Sequence, residues 1–91
     1  MKKLLNTLYI TSENKYLSLD GENVVIKEEG AELGRMPLHN LEMIVTFSRA
    51  GASPALMGKC ADNNISIVFL TPSGSFLARV EGKTKGNVLL R

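Results

Sequence analysis

The sequence predicts a mainly β (α+β) domain of about seven short strands, forming a small two-sheet sandwich or one strongly curved sheet, with a single helix. Three observations predict it. Apolar residues alternate with a period of two in short runs separated by glycine-bearing turns, the pattern of half-buried strands. One stretch, residues 53–63, instead repeats apolar residues at helical spacing. The two runs that flank it, 41–47 and 65–70, are apolar on both faces, which marks interior strands and makes a strand–helix–strand unit of residues 41–70.

Taken in order, residues 4–11 form the first expected strand. In 16–19, Leu17 and Leu19 share one face, and Asp20-Gly21 follows as a hairpin signal. Residues 23–28 place Val24 and Ile26 on one face and Val25 and Lys27 on the other. Glu29-Gly30 is a second turn, and 31–36 is a more polar strand suited to an edge. Pro37 ends it, because proline has no N–H to donate to a ladder. Residues 4–36 thus read as an antiparallel meander with one core-facing side. Glu42 and Thr46 are the polar exceptions in the interior strand 41–47, and 48–52 is a loop.

Ser53-Pro54 is a helix start, since the hydroxyl can cap an orphan amide and proline is tolerated in the first turn. Leu56, Met57, Cys60 and Ala61 form the buried stripe, which leaves Lys59 and Asp62 outward. Asn63-Asn64 ends the helix, because asparagine accepts the left-handed conformation. Thr71-Pro72-Ser73-Gly74 turns the chain after the strand 65–70. Phe76, Ala78 and Val80 then alternate along the last strand. If the strands at 41–47 and 65–70 are parallel, their crossover is right-handed.

Composition narrows the function classes. The 91 residues suffice for one domain, 44% of them hydrophobic and 22% charged, which excludes a disordered chain. No apolar run is long enough to span a membrane. Lys2 and Lys3 precede Leu4-Leu5 as in a secretion signal, but Asn6 and Thr7 break the apolar stretch at once. A single cysteine, Cys60, precludes an internal disulfide and fits the reducing cytoplasm. With His39 as the one histidine, a zinc site lacks its usual three or four ligands. The net charge of +2 does not announce a nucleic-acid binder. Its distribution is uneven: residues 20–42 are acid-rich, whereas 76–91 carry Arg79, Lys83, Lys85 and Arg91 against Glu81 alone. This gives either one face that tolerates phosphate or solvated surface scatter.

The search for catalysis is negative. There is no phosphate-binding GxxxxGK[ST] loop and no HExxH motif. Ser53 is accounted for as a cap, Cys60 as a buried thiol and His39 as a loop residue held by backbone. Glu42 and Asp62 could bind a metal only if the fold brought further carboxylates to them. The candidates concern binding instead. Arg49 lies in the loop before the helix and Lys59 on its outward face, and basic side chains near a helix N-terminus can hold phosphate. Solvated charge is the alternative for both, as packing is for Tyr9 and Tyr16, whose rings could stack on bases. After Val80 the polar, glycine-bearing stretch 81–86 gives way to Asn87-Val88-Leu89-Leu90-Arg91. That apolar segment reads as the entrance to a further element or as a short strand returning to the sheet.

The ordered series Leu-Tyr-Ile-Thr (8–11), Tyr-Leu-Ser-Leu-Asp-Gly-Glu-Asn (16–23), Pro-Leu-His-Asn-Leu-Glu (37–42), Gly-Ala-Ser-Pro-Ala-Leu-Met-Gly-Lys-Cys-Ala (51–61) and Phe-Leu-Thr-Pro-Ser-Gly-Ser-Phe-Leu-Ala-Arg-Val (69–80) resembles the start of the CRISPR-associated endonuclease/integrase of spacer acquisition, in its type I-C flavour. The resemblance implies an N-terminal β-rich domain at residues 1–82, with 83–91 beginning a linker to a helical catalytic domain. It implies that this domain builds a homodimer and carries part of a protospacer duplex, with Arg49 and Lys59 near the DNA. The partners implied are a second copy, double-stranded DNA (protospacer and CRISPR repeat) and the second, small adaptation protein of the system. The family's chemistry uses magnesium or manganese on a Glu–His–acid set in the helical domain. None of those positions lies in these residues, and His39 is not the family's metal histidine. The resemblance therefore implies no catalytic residue, no metal ligand and no activity for these residues alone. The alternative is an autonomous small nucleic-acid-binding β module without catalysis.

Overall fold

Alternation, turn residues and one capped helix generate the architecture. A computed structural model of the chain describes residues 2–4, by their backbone, and 6–81. Eight strands occur there: β1 (Lys2–Leu4), β2 (Thr7–Ile10), β3 (Lys15–Asp20), β4 (Asn23–Glu28), β5 (Ala31–Pro37), β6 (Met43–Thr46), β7 (Ser66–Leu70) and β8 (Phe76–Val80). A 3-10 turn, Leu38–Asn40, follows β5, and the helix α1 (Pro54–Asp62) lies between β6 and β7. The expectations placed on residues 82–91, a linker and an apolar segment, lie outside the described residues.

The strands form two sheets, one of five in the order β1-β2-β6-β7-β8 and one of three in the order β3-β4-β5. The two-sheet arrangement with one helix holds, with a correction at the N-terminus. Residues 4–11 are not one strand: the chain reverses at Asn6, a turn-forming residue, so that Lys2 pairs with Tyr9 and Leu4 with Thr7. The meander is likewise shorter than 4–36 and comprises β3, β4 and β5. β2 instead runs parallel to β6, with Thr7 opposite Met43 and Ile10 opposite Thr46. Alternation sets which face of β2 is buried, Leu8 and Ile10, but carries no information on its partner.

β6 and β7 are parallel, from Met43 opposite Ser66 to Thr46 opposite Phe69, so α1 is the crossover of a parallel pair. Ser53 Oγ accepts from the Leu56 amide at 3.1 Å, and Pro54 occupies the first turn. At the other end Asn64 adopts φ +61°. The Ile65 amide donates to the Cys60 carbonyl at 2.8 Å and that of Asn64 to the Ala61 carbonyl at 3.3 Å, a Schellman stop.

The core is the space between the sheets, closed on one side by α1. Leu8, Ile10, Ile44 and Ile67 of the larger sheet meet Leu17, Val24 and Ile26 of the smaller, with Leu56 and Cys60 from the helix. The sheets are tied where the Leu17 amide donates to the Gly51 carbonyl at 3.0 Å and the Ser53 amide to the Leu17 carbonyl at 2.8 Å. Two expectations need adjustment here. Met57 is only half-buried and faces a groove, which leaves Leu56 and Cys60 as the fully buried members of the helical stripe. The alternation expected along β8 is broken by a bulge opposite Phe69 and Leu70. There Ala78 pairs with Phe69 and Phe76 with Leu70, so Leu77 is the extra residue.

Candidate nucleic-acid interface

The loop between β6 and α1 is a rigid mount because its polar groups are consumed internally. Thr46 is buried, and its Oγ1 accepts from the Ser48 amide at 3.2 Å. Ser48 Oγ donates to the Glu13 carbonyl at 2.9 Å and accepts from the Ala50 amide at 3.1 Å. The Arg49 amide donates to the same Glu13 carbonyl at 3.0 Å. Gly51 holds φ +80°, a left-handed value that glycine adopts without strain, and turns the chain toward the Ser53 cap.

On this mount the Arg49 side chain is exposed and makes no ion pair with the described residues. That separates it from most of the other cations among the described residues, Lys27 being the exception. Lys15 is paired with Glu28 at 3.2 Å, and Arg79 with Glu81 at 2.6 Å. Arg35 is held by both Glu32 at 2.8 Å and Asp20 at 3.0 Å. The fork made by its Nε and Nη2 holds the Glu32 carboxyl below the usual carboxylate range.

Lys59 has a different setting. It sits in the last turn of α1, half-buried, with its Nζ 2.9 Å from Glu22 Oε2 on the β3–β4 turn. At 1.5 Å rise per residue it lies ~9 Å along the helix axis from the Ser53 cap. Arg49 and Lys59 therefore bracket the loop–helix segment without converging at the helix N-terminus. Glu22, the residue that occupies Lys59, is 37 positions away in sequence. No local pattern points to it.

Beside Arg49 runs a groove of about 420 Å³, walled by loop 48–52, by Met57, by Phe69 and by Leu77, Ala78 and Val80. Among the described residues, Arg49 is its one charged lining residue. A guanidinium at the rim of an apolar trough can hold a phosphate while apolar surface lies alongside.

The remaining sequence candidates do not assemble a reaction centre. Ser53 is engaged as a cap. Cys60 is fully buried, and burial pushes its thiol up to about 11, so it is neither a thiolate nucleophile nor a ready ligand at neutral pH. His39 is exposed on the 3-10 turn and its side chain makes no hydrogen bond among the described residues, and Glu42 meets Asn6 Nδ2 at 3.4 Å. Among the described residues no three His, Cys, Asp or Glu side chains come together as metal donors. The divalent metal implied by the family resemblance therefore does not fit these residues.

The family model for the CRISPR-associated protein Cas1 matches residues 8–91. The chain is 53% identical, over all 91 residues, to the CRISPR-associated endonuclease Cas1 2 of Rhodospirillum rubrum, and covers 26% of that relative. It thus spans about a quarter of the length of the curated relative it matches. Among solved structures it resembles a chain of a partial Cas6-RT-Cas1–Cas2 complex, with a TM-score of 0.74 and 13% identity over 85% of this chain and 23% of that one. It also resembles a chain of a TtCas1–DNA complex, with a TM-score of 0.69 and 16% identity over 97% of this chain and 34% of that one. At such identities the structural likeness speaks for the fold alone.

Proposed function

The chain belongs to the CRISPR-associated Cas1 family as its N-terminal β-rich domain, and on that premise we propose that it is the dimerisation and DNA-supporting part of a metal-dependent DNA endonuclease/integrase that inserts new spacers into CRISPR arrays, of a type I-C-like subgroup. The observation that carries the DNA-supporting role is Arg49, an exposed guanidinium without an ion pair among the described residues, on a loop whose backbone is pinned to Glu13 and Leu17. A cation held this way loses little conformational freedom when it meets a backbone phosphate. Lys59 contributes less, because a phosphate must first displace Glu22.

In this reading residues 1–82 are the supporting domain, and 83–91 begin a linker to a helical domain that holds the magnesium or manganese and performs nicking and strand transfer. The partners are a second copy of the chain, a protospacer or CRISPR-repeat duplex, and the small second adaptation protein, Cas2. Two relatives of the same fold support those partners, one solved as a complex with DNA and the other in a complex with Cas2. Among the described residues no helix is long and apolar enough to cross a membrane, and the free thiol of Cys60 suits the cytoplasm.

Exposed apolar side chains lie on one outer strand of each sheet, Leu33 on β5 and Phe76 and Leu77 on β8, which supports an interface between copies. Sedimentation of the 91-residue chain tests this half of the proposal. A two-copy species at micromolar concentration is expected, and a strict monomer at high micromolar concentration contradicts it. Branched DNA incubated with manganese and this chain is expected to remain uncut, with or without chelator.

A further inference from the structure

The apolar groove beside α1 borders a free sheet edge. β8 is the outermost strand of the larger sheet, so among the described residues one side of its backbone has no strand to pair with. Such edges are usually blunted by lysine, proline or an inward-pointing charge. β8 carries Phe76-Leu77-Ala78-Arg79-Val80, and its one charge, Arg79, is held by Glu81. Ala78 pairs with Phe69 and Val80 with the core residue Ile67, so both lie on the core-facing side of the sheet, where they wall the groove with Met57 and Leu77. Leu77 is the bulge residue and remains 59% exposed, while Ala78, Arg79 and Val80 keep a regular register.

A strand added to β8 lies about 4.8 Å away and points every second side chain to that same side, over the groove. Main-chain hydrogen bonds along the edge then supply affinity, and the groove selects apolar side chains. Charge narrows the occupant further. Arg49 is the one charged lining residue among those described, and it has no ion pair with them. A guanidinium so placed matches a carboxylate through paired N–H groups. We propose that the β8 edge and the groove together bind an extended protein segment with alternating apolar residues, and with an aspartate or glutamate among those that face the groove. Phe76 pairs with Leu70 and lies on the other face of the sheet, so it and Leu33 are left for the interface between copies. The inference goes beyond the DNA-supporting role and does not rest on it.

An NMR titration of the isotope-labelled 91-residue chain with the peptide acetyl-Thr-Val-Thr-Val-Thr-Glu-amide tests it. Shift changes are expected at the amides of Ala78, Arg79 and Val80, at the Met57 ε-methyl and at the Arg49 guanidinium, while the methyls of the core residues Leu8 and Ile44 stay unchanged. Lysine in place of the peptide's glutamate, or Arg49→Ala in the protein, should each weaken binding about tenfold. Arg49 is exposed, so that variant keeps the fold. N-methylation of two successive central amides of the peptide removes a ladder donor whichever of them faces β8, and should abolish binding. No shift change at millimolar peptide overturns the proposal, as does binding that survives the N-methylation. Protection of the β8 amides that grows with protein concentration overturns it too, because it assigns the edge to a second copy.

Discussion

Ser53 and Cys60 sit on one helix and show what a single side chain contributes. The Ser53 hydroxyl satisfies the Leu56 amide, one of the orphan donors of the first turn. Ser53→Ala is expected to lower stability by about 1 kcal/mol in urea unfolding, with an unchanged slope. Cys60 acts through pH. Burial raises its thiol from the ordinary value of 9.0 to about 11. The folded state therefore keeps a proton that the unfolded state gives up between those values. Its contribution is fully present below pH 9 and is lost as pH rises toward 11, by about 2 kcal/mol at the upper end. Lysine and tyrosine side chains as a class ionise in that range, so the measurement is the difference in thermal midpoint between the unsubstituted chain and Cys60→Ala from pH 8 to 11. The gap is expected to narrow as pH rises. Both residues were legible in the sequence because their signals are local, a cap beside a proline and a helical stripe. The Lys59–Glu22 pair was not, since its partners are joined only when α1 packs beside the β3–β4 turn.

Among the elements, the β4–β5 hairpin carries a backbone cost that its sequence leaves unrelieved. Glu28 pairs with Ala31, so Glu29 and Gly30 form a two-residue loop, and both have positive φ, +53° and +83°. Such a loop matches the twist of its strands, and it favours Asn-Gly over Glu-Gly. Glu29→Asn is expected to stabilise the domain by about 0.5–1 kcal/mol, read from the denaturation midpoint, because asparagine tolerates the left-handed region better. The turn itself was visible from its glycine. Strand partnership was less visible. β2 has the same alternation as the strands of the meander, yet it crosses to the other sheet beside β6, where the apolar both-sided strands need a third parallel neighbour. The β8 bulge was also hidden, because Phe76, Ala78 and Val80 satisfy a regular alternation on paper.

For the whole molecule, the uneven charge seen along the chain becomes a pattern of ion pairs. Acids of the region 20–42 neutralise cations from the smaller sheet and from α1: Asp20 and Glu32 on Arg35, Glu22 on Lys59. Arg49, on the loop between the larger sheet and the helix, stays outside that pattern. The central claim is that this residue supports a DNA duplex. Its most direct test is the affinity of the 91-residue chain for duplex DNA across a series of salt concentrations, with Arg49→Ala and Glu22→Gln beside the unsubstituted chain. Affinity is expected to fall with salt, and Arg49→Ala to weaken binding and flatten the log–log slope by about 0.9 for the one phosphate no longer neutralised. Glu22→Gln, which releases Lys59, is expected to tighten binding at low salt. No duplex binding at low salt, or an Arg49→Ala variant with unchanged affinity and slope, would contradict the claim.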